Sequence, residues 1–120
     1  MCLFFRTRMS IRELESPENT KARYAFLRAF AEIKDIEKVP ILDSYSFWHI
    51  AAINGQPFTA KRESPPKSTK MWRGYSQHEN VLFLPWYRGY LLRLEHALVQ
   101  YAPVDNLLVA LHYWDETSED

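Results

Sequence analysis

The chain has 120 residues, 47% hydrophobic and 15% aromatic, with three glycines, a composition that builds one globular domain with a buried core and excludes a disordered chain. Fifteen basic and fifteen acidic residues cancel, so no basic stripe survives to draw in nucleic acid or an anionic membrane, and neither is expected as a partner. The single Cys2 cannot form an intramolecular disulfide, and the apolar opening "MCLFF" stops at Arg6, too short for a signal-peptide core or a membrane span. A cytoplasmic location is the expectation.

Residues 3–14 alternate loosely between apolar and charged, which reads as extended chain or a short strand. A helix is predicted next. Ser16 is a good N-cap, Pro17 suits the first helical position, and Glu18 favours the positive helix end. Phe26, Leu27, Phe30 and Ile33 recur at three- and four-residue spacing and form its core stripe, and Pro40 ends it. A second, shorter helix is predicted within residues 44–58, capped by Ser44 or Ser46 and stopped by Asn54-Gly55 with Pro57 beyond. Residues 59–70, "TAKRESPPKSTK", are a polar, proline-containing loop.

A third helix is predicted from near Pro85 to about Tyr101, with Leu91, Leu94, Leu98 and Tyr101 as its buried stripe and Arg93 and His96 flanking it. The last segment, "NLLVALHYWDETSED", is an apolar run followed by a polar cluster. Thr117 with Asp120 has the outline of a capping box, a start signal with no helix after it, as in a chain cut short; the alternative is a polar, solvated tail.

The four histidines, His49, His78, His96 and His112, include no pair one helical turn apart. His49 lies inside the second helix, where a half-buried histidine with a satisfied ring is the ordinary reading. His96 follows Tyr87 by nine residues, which at about 100° per residue puts it on the opposite helix face. His112 follows an apolar run and reads as an edge or surface residue. His78 precedes the third helix in a polar and aromatic loop. No Gly-rich phosphate loop, nucleophile elbow or convincing carboxylate pair is present. These residues alone describe a mostly helical, aromatic-rich domain.

Three stretches carry the reading further: "SFWHIAAINGQPF", "RGYSQHENVLFLPWYRGYLLRLEHAL" and "LHYWDETSED". Together they resemble the first-copper half of the tyrosinase, or type-3 copper, family in its fungal and bacterial branch. The resemblance runs from about Ile11 to the end of the chain. It implies a mostly α fold, a truncated half of a tyrosinase-like helical bundle with minor extended segments. Residues 1–120 would form a single first-copper half-domain, with the second-copper half absent. In the family, three histidines hold one copper, a second trio holds the other, and dioxygen bound between them oxidises phenols or o-diphenols to quinones.

Residue by residue, the family's ligand positions fall on Asn54, His78 and Tyr87, so the second is retained and the first and third are substituted. A cysteine of some members is Ser76. Trp86, Arg88, Tyr113, Trp114 and Asp115 match positions that look like packing, ligand-supporting or turn residues. Copper is thus implied by the resemblance, while the donors that this chain supplies are weak. Copper favours imidazole and soft sulfur, an amide oxygen is a poor donor, and a phenol must first lose a proton with a reference pKa near 10. No catalytic residue is assigned. The resemblance implies a degenerate tyrosinase-like protein unable to oxidise phenols alone, accessory to phenolic secondary metabolism. The alternative is a half-site of a monophenol or o-diphenol oxidoreductase completed by another chain. The expected partners are a protein at the face normally covered by the second copper half and a phenolic small molecule.

Overall fold

The structure, a computed structural model, describes residues 6–54, 79–103 and 108–117. Among them are four α-helices: α1 (Ile11–Glu15), α2 (Thr20–Lys34), α3 (Phe47–Asn54) and α4 (Phe83–Gln100). The mostly α class expected from the sequence is what forms.

Of the stretch predicted as extended, the described part, residues 6–14, is not simply extended. Ser10 has an extended backbone and its hydroxyl accepts from the Glu13 N–H, so it caps α1, which buries Leu14. The extended part shrinks to one parallel bridge between Ser10 and Tyr113, closed by Ile11 N–H to Tyr113 O and Tyr113 N–H to Met9 O. Ser16 ends α1 and precedes a 3-10 turn, Pro17–Asn19, before α2 begins at Thr20. The helix predicted from Ser16 therefore opens as a 3-10 turn, and its α-helical part begins only at Thr20. Helix α2 also stops earlier than Pro40, at Lys34, where the Asp35 N–H turns back to Glu32 O.

The stripe that α2 buries is Ala22, Ala25, Ala29 and Ile33, still at three- and four-residue spacing but shifted from the predicted aromatic one. Leu27 is 58% exposed, and Phe26 and Phe30 flank the core. Small side chains on the contact face let α2 lie close to α4, whose Ala97 and Leu98 are fully buried. The core is Ala25, Ala29, Ile33, Ile50, Ala97, Leu98 and Val109. An aromatic chain runs along its edge, Phe26 to Phe30 at 5.8 Å, Phe30 to Phe47 at 5.7 Å and Phe47 to Trp48 at 5.3 Å between ring centroids.

Of the two serines proposed to cap the second helix, Ser46 does so. It is fully buried, accepts from the His49 N–H and donates to Ile41 O, both at 3.0 Å. Helix α4 starts two residues before Pro85, and its inner stripe omits Leu91, which is 38% exposed. The C-terminal run makes no strand among the described residues, although Val109 and Ala110 are buried. It is fastened instead by the Glu95 carboxylate on α4, which accepts from the Leu111 N–H at 3.0 Å and pairs with Arg8 at 2.8 Å. One acid thus ties α4 to both ends of the described chain. No helix among the described residues is long and apolar enough to cross a membrane.

Candidate functional site

Helix α3 ends on Asn54, and Tyr87 lies one turn into α4. The packing of both helices on the shared core brings these two residues together. The Tyr87 hydroxyl donates to Asn54 Oδ1 at 2.9 Å across 33 residues of sequence. Two of the three expected copper positions are therefore bonded to each other, and the partly buried phenol has the polar partner it needs.

Aromatic rings enclose the phenol. Phe83 lies 4.7 Å from the Tyr87 ring and Trp86 4.8 Å at an interplanar angle of 72°. Tyr90 is edge-on at 6.0 Å, and Trp86 stacks on Tyr90 at 5.2 Å with only 14° between planes. Burial, and secondarily the neighbouring Tyr87 phenol, push the Tyr90 pKa up from 10.0.

The entry to α4 is set by Asn80, whose side chain accepts from the Leu82 N–H at 2.8 Å while its carbonyl accepts from the Phe83 N–H. Glu79, just before it, has φ 57, a left-handed conformation that costs a non-glycine residue roughly 1–2 kcal/mol. His78, the retained ligand position, lies outside the described residues, as do Ser76 and the predicted loop at 59–70.

The remaining histidines are dispersed. His49 is partly buried in α3, and His96 is exposed on the side of α4 away from Tyr87. His112, expected at an edge or surface, is packed instead. Its ring meets Phe26 edge-on at 5.1 Å, Nδ1 accepts from the Met9 N–H at 3.3 Å, and Nε2 is buried without a partner. Burial lowers its pKa from 6.5, against the opposing pull of the Glu95 and Glu13 carboxylates. No periodicity in the sequence marked His112 or Glu95, because both are packed through contacts distant in sequence.

Among the other matched positions, Trp86 is partly buried against Tyr90 and Arg88 is exposed. Tyr113 carries the bridge to Ser10, and Trp114 is 75% exposed. The Asp115 carboxylate accepts from both the N–H and the hydroxyl of Thr117, closing a side-chain turn. Asp120, the other half of the outlined capping box, lies outside the described residues.

Asn54 and Tyr87 do not fit copper as they stand. They present an amide oxygen and a phenol hydroxyl, each already engaged by the other, where copper favours imidazole nitrogen. Among the described residues, no three His, Cys, Asp or Glu side chains converge into a group able to hold a metal ion.

Comparison with known proteins gives a consistent picture. Residues 44–120 match the family described as the common central domain of tyrosinase. The chain is 37% identical over 120 residues to tyrosinase HcTyr2 of Hahella sp. (strain CCB-MM4), across 94% of this chain and 20% of that protein. It is 34% identical over 113 residues to a tyrosinase of Aspergillus oryzae, across 94% of this chain and 18% of that protein. Its fold matches a tyrosinase of Burkholderia thailandensis at low pH with a TM-score of 0.72 and 32% identity, covering 96% of this chain and 22% of that one. Recombinant mushroom tyrosinase matches at 0.69 and 26% identity, over 95% and 23%. The chain thus spans about a fifth of the length of the curated relatives it matches.

Proposed function

Since this chain belongs to the tyrosinase family, we propose that it is a degenerate member, a family scaffold whose first-copper cluster has given way to a hydrogen-bonded pair. The observation that carries this reading is the 2.9 Å bond from Tyr87 to Asn54. An amide and a phenol that satisfy each other hold α3 against α4 without a metal. Releasing them to a cation would break that bond and require a proton to leave a phenol with a reference pKa near 10. On this reading the chain by itself does not oxidise phenols. Its role is accessory, within phenolic secondary metabolism, through contact with another protein or a phenolic molecule.

The test is an oxidation assay with catechol and a monophenol on the copper-loaded chain, beside the Asn54→His/Tyr87→His double variant. The expected result is no turnover by the natural sequence and stronger copper retention by the double variant. Sustained quinone formation by the unmodified chain would overturn the proposal.

A second reading is supported by the outer surface at the start of α4. Val81 is 92% exposed and Leu84 75%, with Leu82 also exposed. In this reading that apolar surface receives a chain bearing the second copper trio, and the pair forms a phenol-oxidising half-site assembly. Activity that appears only on mixing with such a chain would favour it over the first.

A further inference from the structure

We propose that the cavity between the Ser44–Tyr45 turn and the outer side of α4 binds a small organic carboxylate, with Arg93 as its anchoring cation. This site does not depend on the copper positions. Gly89, Arg93 and His96 follow Tyr87 by two, six and nine residues, roughly 200°, 240° and 180° around the helix, so they face away from Asn54. The cavity has a volume of about 340 Å³ and is lined by Ser44, Tyr45, Gly89, Leu92, Arg93 and His96, a size within the range of small-molecule sites.

Arg93 is the reason to expect an anion there. The residue is partly buried, and its guanidinium, which lines the cavity, donates from Nη2 to Ser44 O at 2.9 Å at an exposed position. Among the described residues no carboxylate pairs with it. The acids near it in sequence are engaged elsewhere. Asp43 accepts from the Tyr45 N–H and the Tyr101 hydroxyl, and Glu95 accepts from Arg8 and the Leu111 N–H. The planar acceptor that best matches the donors of a guanidinium is a carboxylate.

The rest of the lining selects for an organic body on that carboxylate. A Cβ placed on Gly89 would meet nothing within 4 Å, so the helix surface there is open floor. Leu92 and the Tyr45 ring supply apolar wall, and the Ser44 and His96 side chains add polar rim. Inorganic phosphate would satisfy the charge but leave the apolar wall unused.

The probe is benzoate, titrated into the full 120-residue chain and followed by amide chemical shifts, with inorganic phosphate and benzyl alcohol in parallel. Saturable benzoate shifts are expected at Tyr45, Leu92, Arg93 and His96, with phosphate at least tenfold weaker and benzyl alcohol without saturable effect. Arg93→Gln is expected to weaken benzoate at least tenfold. Gly89→Leu, at an exposed helical position where leucine raises helix propensity, is expected to block the cavity and do the same while keeping the fold. The absence of saturable benzoate binding overturns the proposal, as does phosphate binding equal to benzoate. So does wild-type benzoate affinity in the Gly89→Leu variant or in a folded Arg93→Gln variant.

Discussion

The bond between Tyr87 and Asn54 joins the end of one helix to the second turn of another, and its loss has a measurable consequence. Tyr87→Phe keeps the ring within its cage of Phe83, Trp86 and Tyr90 but leaves Asn54 Oδ1 without this donor. The expected cost is about 1 kcal/mol in denaturant unfolding. The same substitution in an Asn54→Leu background is expected to cost markedly less, because the partner is already gone. Equal costs in both backgrounds would mean that the two side chains are not coupled. At the same scale, His112 makes stability depend on pH. Burial depresses its native pKa below 6.5, so the unfolded chain binds the proton more readily than the folded one. Stability is therefore full above about pH 6.5 and declines as pH falls towards the depressed native value. Urea midpoints at pH 7.5 and 5.5 measure this decline, and His112→Asn, which keeps an acceptor for the Met9 N–H without titrating, is expected to flatten it. The substitutions at 54 and 87 were legible as residue types. Their mutual bond was not, because it depends on how two helices cross.

Helices α2 and α3 show what periodicity reveals and what it hides. The three- and four-residue spacing in α2 was visible, but two overlapping stripes share it, an aromatic one and an alanine one. Tertiary packing chose the alanine stripe for the closest contact, because Ala25 and Ala29 face the fully buried Ala97 and Leu98 of the core. Ala29→Leu is accordingly expected to overpack this contact and cost roughly 1–3 kcal/mol, although leucine is a good helix former. A thermal melt unchanged by that substitution would contradict the packing described. For α3, the serine cap was legible as a choice between two residues, and burial selects Ser46. Ser46→Ala removes both the cap to His49 and the donor to Ile41, and about 1–2 kcal/mol of stability is expected to go with it.

Across the whole molecule, the N- and C-terminal segments meet on α4 through Glu95, an acid whose role no local pattern announced. Glu95→Gln cannot form the ion pair with Arg8 and weakens the acceptor for the Leu111 N–H. Hydrogen exchange at Leu111 is expected to quicken, with little change at the core amides of α2; unchanged protection at Leu111 would remove Glu95 as the fastening. The helical class was legible because amphipathic spacing and three linked motifs agreed, while the bridge between residues 10 and 113 was not, since it pairs chain ends through a single residue on each side. The proposed loss of family chemistry turns on the fate of the copper positions. Copper per chain, by elemental analysis after loading with copper and exhaustive desalting, tests it most directly. Far less than one copper per chain is expected for the natural sequence, and near-stoichiometric retention would contradict the degenerate reading.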